Sequence, residues 1–360
     1  MTDWPQRQAA LLDALAASRA LPPEWRSTFE AVPRHQFIPR EIWKQEATCV
    51  PVTAEAAWWD LAYSDEPIVT QLDDGRGDGP GVATSSGSKP SLVARMLGAL
   101  GIAEGHRVLE IGTGTGWNAA LLSARLGSEN VTTVEVDERL AAQAEKAIRE
   151  AGYGPRVVHG DGALGWAPGA PYERLIATCS VRRVPPAWIE QTAPGGVIVF
   201  PLALDFWSGA LLRLDVTQGM AQGRAVGDAQ FMPMRSHRPA TDTPVDGSTG
   251  RRMPGTAVPD TVASLGFALY AGARLPGVAM TDGRHEGTYQ IWLWDREGSA
   301  ATVTDQEVWQ YGPRSLWEEV IEAHAAYVSE GSPSADEFGL TVDGAGQRVW
   351  LRSPEARVHH

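Results

Sequence analysis

The chain has 360 residues, 31 basic against 44 acidic side chains, a formal net charge of −13, 14 tryptophans and two cysteines. That length allows more than one packed unit, since domains run to roughly 100–200 residues each, and the negative charge argues against nucleic acid or an anionic membrane surface as the main partner. Cys49 and Cys179 exclude a disulfide framework or a four-cysteine zinc site and fit a reducing cytoplasm, and no apolar run approaches the ~18 residues that span a bilayer.

Along the chain, Leu11, Leu12 and Leu15 carry helical periodicity that stops at Pro22-Pro23, so the start reads as a short amphipathic helix rather than a signal peptide or anchor. Residues 25–32 follow, then an irregular segment to Asp74, and the Gly- and Asp-rich run 73–81 is a loop. From about 90 to 235 short apolar runs (107–111, 131–136, 156–159, 175–178, 196–201) alternate with helix-length segments such as 138–151. This is the pattern of a mostly parallel sheet covered by helices. The runs 210–216 and 225–234 suggest an antiparallel pair at its edge. A Pro/Thr/Asp/Gly-rich connector, 238–259, leads into alternating strands expected at 288–294, 302–310, 339–342 and 348–352, with a helix over 315–329. The expectation is therefore an α/β protein with domains 1–83, 84–235 and 236–360, the last an α+β extension.

The strongest chemical signal is Glu110-Ile111-Gly112-Thr113-Gly114-Thr115-Gly116, where a buried strand ends in three alternating glycines and a helix opens. Glycines let the backbone approach a ligand, and the helix start offers unpaired N–H groups. A dinucleotide fingerprint would need its third glycine where Trp117 stands. The spacing matches instead the loop that wraps S-adenosylmethionine (SAM) in class I methyltransferases. Glu135 at the end of the next strand is placed to accept ribose hydroxyls, and Asp161 after a third strand to reach the adenine amino group.

With Val32-Pro33-Arg34-His35-Gln36-Phe37-Ile38-Pro39, Ala62-Tyr63-Ser64-Asp65-Glu66-Pro67, the hydroxyl-rich Thr84-Ser85-Ser86-Gly87-Ser88-Lys89-Pro90, Asp161-Gly162 and Val184-Pro185, the sequence resembles the protein-L-isoaspartate O-methyltransferase family over about residues 26–235. The resemblance implies a Rossmann-like sheet with helices on both faces, SAM as cofactor, and a peptide or protein substrate carrying Asp or isoAsp. It further implies a SAM site of Glu110, Gly112, Thr113, Gly114, Gly116, Glu135, Val136, Asp161 and Gly162, with no metal. Thr84, Ser86 and Ser88 would position the substrate carboxylate. The hydroxyl segment is two residues longer than the family's, which leaves Ser86 and Ser88 both open for the family serine's role.

A carboxylate is already ionised at neutral pH and is itself the nucleophile, so no general base is required. Lys89, Ser180, Arg182 and Arg183 are candidate substrate contacts. His35 and His159 read as structural, Cys179 as a small residue behind the substrate loop, and Trp58, Trp59 and Trp117 as core. Two uses of the family are open. One is repair of isoaspartyl damage. The other, favoured here by residues 236–360, the altered hydroxyl segment and the rewritten stretch 177–184, is tailoring of a ribosomally made peptide towards aspartimide or isoaspartate, as in extended actinobacterial members. A small-molecule methyltransferase and a silent SAM- or peptide-binding module are the outside alternatives. Trp292 and Trp294 share a strand face and are expected to join Trp317 in a small core, with a peptide-gripping face as the alternative.

Overall fold

The protein is described from a computed structural model over residues 3–206, 208–238, 244–255 and 258–358; Trp207 and part of the expected connector 238–259 lie outside the described residues. The chain divides into two compact units. The first comprises Met1–Cys179, Pro185–Phe200 and Asp215–Gly219, the second Ser180–Val184, Pro201–Leu214 and Met220–His360.

In the first unit, strands alternate with helices as the periodicity predicts. The parallel sheet runs in the order Thr192–Ala203, Tyr172–Ala177, Val108–Ile111, Val131–Glu135, Arg156–His159. The strand Val108–Ile111 is buried at every position, the carboxylate of Glu110 included. It lies between Val131–Glu135 and Tyr172–Ala177; the chain leaves it towards Val131–Glu135 and leaves Tyr172–Ala177 towards Thr192–Ala203, so the connections from these two adjacent strands run in opposite directions. This is the Rossmann-like switch point at which open α/β sheets hold ligands. Helix Trp117–Leu126 follows directly, and helix Glu138–Glu150 is capped by Asp137, whose carboxylate accepts the amides of Arg139 and Leu140 at 3.0 and 3.1 Å.

The segment expected to be irregular before Asp74 is not. Trp43–Gln45, Cys49–Pro51 and Ile68–Leu72 join Ala83–Gly87 in an antiparallel sheet ordered Cys49–Pro51, Trp43–Gln45, Ile68–Leu72, Ala83–Gly87. The hydroxyl segment is thus a strand, with Ser86 opposite Val69 and Gly87 opposite Ile68, and it feeds helix Pro90–Leu100.

In the second unit, Phe338–Asp343 pairs with Met220–Asp228 on one side and Gly346–Leu351 on the other, both antiparallel. A five-stranded antiparallel sheet runs Arg251–Pro254, Glu307–Tyr311, Ala300–Val303, Thr288–Trp294, Ala279–His285. The single strand expected at 302–310 is therefore two, split at Thr304, whose hydroxyl accepts the amides of Gln306 and Glu307. Helices Leu265–Arg274 and Leu316–Ser329 accompany the sheet, and Phe267 meets Tyr327 edge-on at 5.4 Å. Ile291 and Leu293 are the buried residues of their strand, while Trp292 and Trp294 are half-buried on the other face. The pair thus does not share a core with the buried Trp317; period-two alternation gives that place to the smaller aliphatic neighbours. Among the described residues, no helix is long and apolar enough to cross a membrane.

Candidate active site

The glycine turn is built by backbone geometry that only glycine takes at little cost. Gly112, Gly114 and Gly116 have φ of 91°, 54° and 88°. At Gly116 an added Cβ would lie 2.8 Å from Ile148 Cγ1, so this glycine lets helix Glu138–Glu150 pack close. At Gly114 it would meet only the Ser86 carbonyl oxygen, at 3.8 Å, so the turn is open there and the hydroxyl strand runs beside it.

Two carboxylates flank the turn with different tasks. Glu135, buried, accepts the Gly114 amide at 2.9 Å with one oxygen and the Asp137 amide at 3.1 Å with the other, which leaves a lone pair on each oxygen. Glu110 is fully buried, and its oxygens accept from Asn118 Nδ2 at 2.7 Å and Thr133 Oγ1 at 2.6 Å. It ties the strand to the first turn of the helix and to the neighbouring strand. Burial pushes its carboxyl up to about 7 against the pull of those two bonds. Thr113 is buried as well, its hydroxyl 2.7 Å from that of Thr133.

Asp161 is exposed and accepts the Ala163 amide at 2.9 Å, and Gly162 behind it is buried, its carbonyl accepting from Trp188 Nε1 at 2.8 Å. Val136 is exposed beside Glu135.

The hydroxyls of the Ala83–Gly87 strand divide. Thr84 Oγ1 accepts the Asp74 amide at 3.0 Å and donates to Gln71 Oε1 at 3.0 Å. Gln71 Nε2 in turn donates to Asp137 at 3.3 Å, so the Thr84 hydroxyl belongs to a buried chain that ends at Glu135. Ser86 and Ser88 are half-buried, and their hydroxyls make no hydrogen bond to another described residue. Lys89 is exposed and sits 3.6 Å from Asp65, which also accepts the Ser91 amide at 2.8 Å and so anchors helix Pro90–Leu100.

Sequence reasoning missed Arg34. Its guanidinium, 2% exposed, donates to the carbonyls of Ala62, Ser64, Glu66, Gly87 and Ser88 at 2.9–3.4 Å and lies 5.6 Å from the Trp117 ring centre. It pins the end of the hydroxyl strand to the segment after helix Glu55–Ala62. Burial lowers its pKa to about 9, which keeps it charged at neutral pH. The motif containing Arg34 was visible; its partners, up to 54 residues away, were not. His35 Nδ1 lies 2.5 Å from the Tyr63 hydroxyl, with Trp4 and Trp59 against its ring, and Trp117 is buried, donating to the Val32 carbonyl at 3.1 Å.

Ser180, Arg182 and Arg183 belong to the second unit. Ser180 is buried, its hydroxyl donating to the Phe231 carbonyl at 3.1 Å; Arg182 pairs with Asp205; Arg183 is exposed. Cys179 closes the first unit's segment. Burial, with the carboxylates of Glu135 and Glu110, pushes its thiol up to about 12. Among the described residues, no group of His, Cys, Asp and Glu is arranged to hold a metal ion.

Residues 6–238 match the family model for protein-L-isoaspartate(D-aspartate) O-methyltransferase (PCMT). The chain is similar to the protein-L-isoaspartate O-methyltransferase of Methanosarcina mazei, 36% identical over 206 residues that cover 56% of this chain and 73% of that one. A second relative of the same description, from Thermococcus onnurineus, is 35% identical over 217 residues, covering 58% of this chain and 92% of its own. A solved protein-L-isoaspartate O-methyltransferase has the same fold, with TM-score 0.56 at 19% identity over 96% of this chain and all of that one. The chain is a SAM-dependent O-methyltransferase and belongs to the protein-L-isoaspartate(D-aspartate) O-methyltransferase family.

Proposed function

We propose that this enzyme methylates the side-chain carboxylate of isoaspartyl residues in peptides or proteins, with the cofactor held at the Gly112–Gly116 turn. The observation that carries this reading is the hydroxyl strand running beside an open glycine turn: the Ser86 carbonyl oxygen is 3.8 Å from where a Gly114 Cβ would stand. The residues fit SAM. Glu135 has lone pairs left for ribose hydroxyls, Asp161 is accessible for the adenine amino group, and the glycine backbone at 112 and 114 can approach the methionine portion. SAM supplies an electrophilic methyl group on a sulfonium.

Every other task falls to the chain. Ser86 and Ser88, whose hydroxyls are unpaired among the described residues, can donate to the substrate carboxylate and orient it without protonating it. Thr84 acts at one remove, by bracing Gln71 and through it Asp137. Glu110 likewise supports the turn from behind. Such alignment can supply several kcal/mol of barrier reduction. The Cys179 thiol, held protonated, does not compete as a methyl acceptor.

The tailoring reading leaned on residues 236–360, on the longer hydroxyl segment and on the stretch 177–184; a solved protein-L-isoaspartate methyltransferase shares the fold over 96% of this chain, so the first of these no longer favours it. The two unpaired cysteines support a reducing compartment such as the cytoplasm. The test is methyl transfer from labelled SAM to an isoaspartyl peptide, to its Asp counterpart and to a cyclic Asp peptide. A base-labile ester on the isoaspartyl peptide alone is expected; labelling of the cyclic Asp peptide alone would replace the proposal with peptide tailoring.

A further inference from the structure

The second unit contains a cleft of about 390 Å³ made wholly from its own residues, with Arg182, Phe206, Phe231, Met280, Trp294 and Arg296 on its walls. Its charges do not cancel. Asp205 pairs with Arg182 and accepts the Gly277 amide at 3.0 Å. Asp295 is occupied on both oxygens, one accepting the amides of Glu297 and Ser299 at 2.9 Å, the other facing Arg314 at 3.2 Å. His237 Nδ1 accepts the Arg182 amide at 3.3 Å. Arg296 is exposed at the cleft and makes neither hydrogen bond nor ion pair to another described residue. Its charge acts on Arg182, whose pKa is lowered first by burial and then by this neighbour.

Asp205 already satisfies Arg182, so Arg296 is the guanidinium of this cleft with no ion partner among the described residues, and a guanidinium can hold a carboxylate through two parallel bonds. The walls exclude a bare inorganic ion as the best fit. The half-buried ring of Trp294, with Phe206, Phe231 and Met280, offers apolar contact to the methylenes and backbone of a peptide residue. In sequence, Ser180 and Arg182 follow immediately on the Thr178-Cys179 end of the strand region that supports the glycine turn, where the Thr178 hydroxyl donates to the Gly112 carbonyl at 2.5 Å.

We propose that this cleft is a subsite for an acidic residue of the peptide substrate other than the carboxylate that is methylated, with Arg296 as its main cation and Trp294 as its apolar wall. The proposal rests on the isoaspartyl reading and names what such an enzyme selects in the neighbouring sequence. It also explains how a chain of net charge −13 holds an acidic peptide.

The test uses the full-length enzyme and two fluorescein-labelled isoaspartyl peptides that differ only in flanking Glu or Gln residues. Fluorescence anisotropy should show the Glu peptide bound about tenfold more tightly by the wild type, a size typical of one well-placed charge contact. That preference should fall to within about twofold in Arg296→Gln and survive in part in Arg296→Lys, and Trp294→Leu should weaken both peptides alike. Equal binding of the two peptides by the wild type, or a preference intact in Arg296→Gln, would overturn the subsite. Methylation is scored separately: if neither peptide is methylated the isoaspartyl reading fails, while the anisotropy comparison still decides the cleft.

Discussion

Glu110 is fully buried with two donors aimed at it, and burial outweighs those donors. Its carboxyl titrates near 7 in the folded chain against 4.5 when free. Between those values the folded state keeps a proton that the unfolded chain has released. The contribution therefore favours folding fully below about 4.5 and fades as pH rises towards about 7, by roughly 3 kcal/mol in all. Glu110→Gln should flatten this part of the profile, so that urea unfolding at about pH 5, 6, 7 and 8 shows a shallower fall in stability than in the wild type. Parallel profiles would mean that another group titrates. Arg34 is the complementary case, a buried cation whose hydrogen-bond acceptors are all carbonyls. Lysine keeps the charge but cannot fork towards two chain segments, so Arg34→Lys should cost about 2–4 kcal/mol of stability. A loss under about 1 kcal/mol in denaturant titration would show that those carbonyls find other donors.

At the level of elements, the three glycines separate ligand contact from packing. Gly114, at φ 54°, lies where an alanine fits with modest strain and ordinary contacts, whereas Gly116, at φ 88°, faces Ile148 at 2.8 Å. Gly114→Ala should therefore fold with a loss of about 1 kcal/mol. It should also bind SAM at least about tenfold more weakly, because the methyl group takes space that the ligand needs. Gly116→Ala should lose stability first, by about 1–3 kcal/mol, through overpacking against the helix. Calorimetric titration with thermal melts distinguishes them, and unchanged SAM affinity in Gly114→Ala would move the cofactor elsewhere.

This turn, the strand before it and the helix after it were legible because every one of their signals is local: a buried apolar run, alternating glycines, a helical period. The sheet over 43–87 was not. Its strands are only three to five residues long, too short for an alternating pattern to show, and the pairing of Trp43 with Val69 reaches across 26 residues of chain (69 − 43). Trp292 and Trp294 show the same limit. Their spacing gave a shared face correctly, but which face is buried depends on helix Leu316–Ser329, and the fit there belongs to Ile291 and Leu293. Likewise the sequence singled out Thr84, Ser86 and Ser88 as one hydroxyl set, and only the fold separates the braced Thr84 from the two serines whose hydroxyls bond no other described residue.

For the whole molecule, charge acts at two distances. The net −13 repels an acidic peptide from afar, whereas Arg296 attracts a carboxylate within the cleft. Salt tells these apart, because the screening length shrinks from ~30 Å at 0.01 M to ~10 Å at 0.1 M and ~3 Å at 1 M. The first increment removes the long-range repulsion while leaving contacts of a few ångströms in place, so kcat/KM for an isoaspartyl peptide with acidic flanks should rise. Further salt competes with the guanidinium contacts themselves, and kcat/KM should then fall, giving a maximum near ~0.1 M. A peptide with neutral flanks carries only the isoaspartyl charge and should show a much shallower curve. Arg296→Gln should keep the initial rise for the acidic peptide, since one charge in so many scarcely alters the distant field, but lose the later fall. A monotonic decline from the lowest salt would mean that local cations govern encounter at every distance, and that the overall charge of the chain is irrelevant to how it meets its substrate.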